Sequence, residues 1–248
     1  SSAASDVYKR QVFMVLNRQR VHGRGELIDA LWPERRPASE DAALRTLLSR
    51  LRAALGAAAV SGRQELTLSL PEPVWVDFEA AGNELQRASR ALEQPDPRGA
   101  WALAQIPLNI AGRGLVPGLN AAWLEPFRRD LEDIRLEALE VIGGAGLSMG
   151  GGQLASVERA GRKLIDADPY RESGYVLLMQ AVARRGNAGE AVRVFERLRV
   201  LMRDELGTAP SAAAIAAYER LLNAAPAEPP AAAADGGAPA GSEMTIGL

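Results

Sequence analysis

The chain has 248 residues, of which 47% are hydrophobic and 24% charged, a composition of ordinary globular proteins rather than disordered, fibrous or membrane-embedded ones. It contains no cysteine and a single histidine, His22, which excludes disulfides, thiolate metal sites, cysteine nucleophiles and any site needing two imidazoles. The formal net charge of -2 hides an asymmetry, because residues 1–70 carry a +4 excess and the remainder -6, so a basic head is joined to an acidic body. No apolar run is long enough for a spanning helix and no secretory leader opens the chain, so a cytoplasmic protein without a membrane contact is expected.

Residues 1–11 are polar and aperiodic, and are set aside as a non-native or disordered leader. Val12 to Leu16 reads as the end of a helix, and Asn17 to Gly25 as a polar connector in which His22 is expected to be exposed or near a phosphate rather than catalytic. A second helix is expected over Glu26 to Trp32, where Leu27, Ile28, Leu31 and Trp32 form an apolar stripe that Pro33 stops. Ser39 then stands as an N-cap, with Glu40 and Asp41 in the first turn. Leu44, Leu47, Leu48, Leu51 and Leu55 recur at helical spacing until Gly56, predicting a helix over Glu40 to Leu55. Its remaining face holds Arg45, Thr46, Ser49, Arg50 and Arg52, side chains able to reach phosphates and base edges, although an ordinary solvated face carries the same residue types. Val60 to Leu70 alternates around a Ser61-Gly62-Arg63 turn, the pattern of a β-hairpin. Helix, helix, arginine-bearing helix and hairpin is the order of a winged helix.

After Trp75 strands disappear, and roughly seven helices are expected, with breaks near 94–98, 107–120, 143–152, 168–170, 186–187 and 207–210. The glycines of 143–152 are read as a helix-to-helix loop, since no lysine follows to make a phosphate loop. Glu132, Asp133, Glu137 and Glu140 are expected to face solvent opposite a buried stripe of Leu131, Ile134, Ala138 and Val141. Tyr175, Leu178, Ala181, Gly186, Glu190, Ala191, Phe195 and Leu198 fall at tetratricopeptide-like spacings. The four tryptophans are spread over different elements and are assigned to packing or domain docking. Beyond Ala224 the chain is Ala, Pro and Gly with almost no large apolar residue, a disordered tail or linker.

Several motifs taken together resemble the Streptomyces antibiotic regulatory protein family. In the head these are Glu26-Leu27-Ile28-Asp29-Ala30-Leu31-Trp32, Pro37-Ala38-Ser39 and Leu48-Ser49-Arg50-Leu51-Arg52-Ala53-Ala54-Leu55-Gly56. In the body they are Trp123-Leu124-Glu125-Pro126-Phe127-Arg128, Asp168-Pro169-Tyr170-Arg171-Glu172, Leu177-Leu178-Met179 and the segment from Asp204 to Pro210. The resemblance implies a mainly α protein. A partial winged helix-turn-helix with a β-hairpin wing (12–72) leads into an all-α, tetratricopeptide-like bacterial transcriptional activator domain (73–223). It further implies a transcription regulator, usually an activator, that binds double-stranded DNA at promoter repeats as a homodimer and contacts RNA polymerase, with no enzymatic activity and no cofactor or metal. Carried over by position, the DNA-binding residues are Arg45, Thr46, Ser49, Arg50 and Arg52 on the recognition helix and Arg63 on the wing, while Leu47 lies where such helices can place a base-contacting side chain.

Two departures stand out. Family members begin with a small β-sheet, which nothing before Val12 supplies, so the head is expected to be truncated. The usual glycine-tyrosine turn of the wing is replaced by Gln64-Glu65-Leu66. The alternatives to a DNA-binding regulator are a helical interaction scaffold and the regulatory N-terminal part of a larger multidomain protein.

Overall fold

A computed structural model of the chain describes residues 3–33, 36–70 and 73–224. The expected tail lies outside these residues. The head consists of α1 (Ala3–Leu16), α2 (Arg24–Leu31) and α3 (Glu40–Leu55), with short strands β1 (His22–Gly23), β2 (Val60–Ser61) and β3 (Glu65–Leu68). The strands form an antiparallel sheet in the order β1-β3-β2, with His22 opposite Leu66 and Val60 opposite Leu68.

α3 spans the expected residues, with Leu44, Leu47, Leu48 and Leu51 buried against Phe13, Met14, Leu27, Ile28 and Leu66. Each such leucine contributes about 1.5–3 kcal/mol by leaving water. Leu47 is only 8% exposed and belongs to this core, whereas Leu55 lies open at the end of the helix. Gly56 ends the helix at φ +104°, a backbone that side-chain-bearing residues avoid. Ser39 occupies the N-cap, but its carbonyl accepts the bond from Ala43 N–H and its hydroxyl caps nothing.

Three expectations for the head are corrected. The first helix begins at Ala3 rather than near Val12, so most of the supposed leader is helical. Alanine has the best helix propensity, and Phe13 and Met14 anchor the segment in the core. The connector contains β1, a third strand that the hairpin pattern did not disclose. His22 is not exposed but completely buried, stacked edge-on against Phe13. Its Nε2 donates to the Asn17 carbonyl at 2.9 Å, and its Nδ1 faces the Glu26 carboxylate at 3.1 Å. Each ring nitrogen thus has a polar partner within hydrogen-bond distance, which is what burying a polar ring requires.

The body is a run of α4 (Asp77–Glu93), α5 (Pro97–Gly112), α6 (Glu125–Met149), α7 (Leu154–Ala167), α8 (Glu172–Arg184), α9 (Ala188–Leu206) and α10 (Ala212–Ala224). Each of α4 to α8 packs on the next, and α10 folds back onto α8 and α9. The tetratricopeptide-like window is the α8–α9 pair. Gly186 makes its turn at φ +89°, Asn187 caps α9 through the Glu190 N–H, and Tyr175, Leu178, Ala191, Phe195 and Leu198 share one core. α7 and α8 cross at glycines, since a Cβ on Gly161 would stand 2.8 Å from the Gly174 carbonyl oxygen.

Two breaks fall elsewhere than expected. Pro107 lies inside α5, whose stripe of Ala100, Ala104, Pro107 and Ile110 is buried, so packing offsets the missing N–H. α6 runs straight through Gly143, Gly144 and Gly146. A Cβ at Gly143 would collide with Leu177 at 2.4 Å, and one at Gly146 with Val157 at 2.5 Å and Trp101 at 3.0 Å. Those glycines are places where neighbours press on the helix, not a loop. α6 is therefore buried on more than the stripe expected for it, with Leu136, Leu139 and Ile142 also inside. Glu140 is accordingly half-buried, accepting from Arg171 Nε at 2.6 Å and the Ser173 hydroxyl at 2.5 Å rather than facing solvent. Among the described residues no helix is long and apolar enough to cross a membrane.

Candidate nucleic-acid interface

The amphipathic period of α3 fixes the site. With Leu44, Leu47, Leu48 and Leu51 inward, Arg45, Thr46, Ser49 and Arg50 come to lie exposed along one outer face. Arg45 Nε donates to the Asp41 carbonyl at 3.2 Å, and the Thr46 hydroxyl to the Ala42 carbonyl at 2.9 Å. The guanidinium of Arg50 has no ion pair or hydrogen bond among the described residues, and that of Arg63, exposed at the wing turn, has none either. Arg52 differs from the other four. It is half-buried, and its Nε donates to the Val60 carbonyl at 3.0 Å, bracing α3 against the wing.

The wing turn is tightly specified. Gly62 adopts φ +92°, and a Cβ there would sit 1.7 Å from the Glu65 carbonyl oxygen. Arg24 links the turn to α3. Its Nη1 donates to the Arg63 carbonyl at 3.2 Å, its Nη2 to Asp41 at 3.0 Å, and its backbone N–H to the Gln64 carbonyl at 3.2 Å. Arg24 also neutralises Asp41, an acid at the α3 N-terminus that would otherwise oppose an anionic ligand. Sequence reasoning missed this residue because its partners lie 17 and 39 positions away. Glu65, beside the turn, is exposed as the sequence leads one to expect of a wing departing from the family pattern.

Two of the contacts that join head and body involve Arg18 and Trp123. Arg18, just after α1, makes a bidentate bond to Glu79 of α4, at 2.8 and 2.7 Å. The Arg18 bond, with its positive charge, holds the Glu79 carboxyl below the usual carboxylate range against the opposing effect of burial. Trp123 reaches from the turn before α6 into the head, edge-on to Phe13 at 5.1 Å. The other tryptophans are dispersed. Trp32 packs on the head core and Trp101 against α6, while Trp75 is 67% exposed with its indole N–H on Asp77, contrary to a packing role.

Residues 76–222 match the family described as the bacterial transcriptional activator domain. The chain belongs to this family. The chain is also similar to the regulatory protein AfsR of Streptomyces coelicolor, at 32% identity over 223 residues, covering 86% of this chain and 22% of that protein. AfsR of Streptomyces griseus is 29% identical over 211 residues, and the transcriptional regulatory protein EmbR of Mycobacterium tuberculosis is 27% identical over 225. The chain thus spans about a fifth of the AfsR proteins and 56% of EmbR. A solved structure of Mycobacterium tuberculosis EmbR, in complex with a low affinity phosphopeptide, superposes with a TM-score of 0.75 at 24% identity, covering 90% of this chain and 60% of that one. These matches bear out the resemblance to Streptomyces antibiotic regulatory proteins, and the EmbR fold agrees with a small winged-helix head preceding an activator domain of helices.

Proposed function

We propose that this chain is the DNA-reading and activating part of a transcriptional regulator acting in the cytoplasm. In this reading α3 enters the major groove with Arg45, Thr46, Ser49 and Arg50 toward bases and phosphates, and Arg63 reaches the backbone from the wing. Arg52 takes a positioning role, holding the hairpin at a fixed angle to the helix. The observation that carries the reading is the unengaged guanidinium of Arg50 on an exposed, polar helix face that it shares with Arg45, Thr46 and Ser49. Thr46 and Ser49 flank it with short side chains, which let the helix approach the groove floor closely. The activator domain is proposed to contact RNA polymerase, and two copies to occupy adjacent promoter repeats, as suits a chain whose relatives are transcription regulators.

Duplex selection with the full chain, followed by affinity against salt, tests this. A repeat-containing consensus is expected, with log K falling linearly against log salt. Arg50→Ala is expected to reduce that slope by about 1 if it contacts a phosphate, or to relax one base position at a cost of about 1–3 kcal/mol if it reads a guanine. Weak binding, flat in salt and unchanged by the substitution, refutes the proposal.

A further inference from the structure

The acidic body carries a second patch of unengaged positive charge, far along the chain from α3. Arg193 and Arg197 stand exposed on α9, one helical turn apart, beside Val200 and Leu201 in an open groove of about 770 Å³. Neither arginine has an ion pair or hydrogen bond among the described residues. Like charges at this spacing repel along a helix, so an anion shared between them relieves the helix as well as being bound.

The carboxylates that line the same groove are all engaged. Glu190 accepts from Asn187 at 2.7 Å and from Arg162 at 3.4 Å, Glu196 from Arg199 at 2.7 Å, and Asp204 from Arg203 at 2.6 Å. Glu205 accepts from the Tyr170 hydroxyl. The groove therefore offers two available cations and an apolar strip while its acids are occupied. We propose that it seats an acidic segment of a partner protein, with two carboxylates spaced one helical turn apart on Arg193 and Arg197 and an apolar side chain on Val200 and Leu201. A nucleic acid duplex suits it less, because its unbroken row of phosphates would pass over four carboxylates, whereas a peptide brings charge only where the arginines are. The proposal does not depend on DNA binding by the head.

The probe is a fluorescein-labelled helical peptide with glutamates at i and i+4 flanked by leucines, titrated with the full chain and followed by anisotropy. Saturable binding is expected, weakened roughly tenfold in the Arg193→Gln/Arg197→Gln double variant, the size of two partly exposed ion pairs lost together. A peptide with glutamine for glutamate is expected to bind as weakly as the double variant does, and Arg87→Gln on α4 to bind like the wild type. Equal binding by wild type and double variant, or by the acidic and glutamine peptides, overturns the proposal. So does displacement of the peptide by a DNA duplex that the double variant no longer binds, which would make the groove a nucleic-acid contact. Self-association abolished by the double substitution overturns it in favour of a second copy. Circular dichroism separates all these outcomes from misfolding, since both substituted side chains are exposed.

Discussion

Replacing Glu79 by glutamine removes the charge from the bidentate bridge that Arg18 makes between head and body, while keeping the shape of the side chain. The two bonds to Arg18 measure 2.8 and 2.7 Å, and the paired side chains are 17% and 24% exposed. A fully exposed pair is worth about 0–1 kcal/mol, and hydrogen bonds to charged groups about 1.5–3. A partly buried, bidentate pair falls between, at about 1–2 kcal/mol of coupling. For a chain of this size that corresponds to a fall in Tm of about 2–8 °C. The assay is urea denaturation of wild type, Arg18→Gln, Glu79→Gln and the double variant, closed as a double-mutant cycle. The folded-state carboxyl of Glu79 is held below its ordinary value of 4.5. Its contribution is therefore present above that value and lost as pH falls through the folded-state value. The coupling is expected to be intact at neutral pH and to fade in acid below the ordinary glutamate range. A coupling under about 0.3 kcal/mol at neutral pH, or one undiminished in strong acid, refutes this account of the junction.

Other substitutions separate the parts of the molecule. Arg52→Ala removes a bond that braces the hairpin, so it is expected to cost about 1 kcal/mol of stability and to leave the salt slope of DNA binding closer to wild type than Arg50→Ala does. Gly62→Ala meets the Glu65 carbonyl at 1.7 Å in a left-handed backbone, and is expected to weaken DNA binding with the helical content of the body unchanged, as read by circular dichroism. Gly161→Val drives a side chain into the α8 backbone and is expected to destabilise by about 1–3 kcal/mol in chemical denaturation, whereas a neutral effect would mean that α7 and α8 are not in close contact.

The helices were legible where one face alone is buried. Leu44, Leu47, Leu48 and Leu51 describe a single stripe, and Gly56 stops it, so both ends and the outward face of α3 follow from local pattern. α6 was misread for the opposite reason. Several neighbours press on it, and glycine, which in isolation reads as a break, is there the residue that lets Leu177, Val157 and Trp101 approach. β1 has only two residues and is defined by a partner more than 40 positions later, which no local periodicity encodes. His22 looked polar in a polar connector, and only the converging Asn17 carbonyl, Glu26 and Phe13 make its burial tolerable. Of the proposed interface, composition supplied the candidates. The division between Arg50, which projects, and Arg52, which braces, depends on where the Val60 carbonyl falls in space.

The length of α6 has a mechanical meaning. Its 25 residues extend about 37 Å at 1.5 Å per residue, starting beside Trp123, which is seated in the head, and ending among helices whose contacts leave no room for a methyl group. A tilt of about 5° at the Trp123 end displaces the far end of such a rod by about 3 Å, close to a full carbon-to-carbon contact distance. Packing between Gly143 and Leu177 cannot absorb a shift of that size, because close-packed interiors do not deform continuously. The helix is thus one continuous rod between the head junction at Trp123 and the tightly packed helices around Gly143 and Gly146, so the angle of the head and the packing of the remote helices are set by the same element.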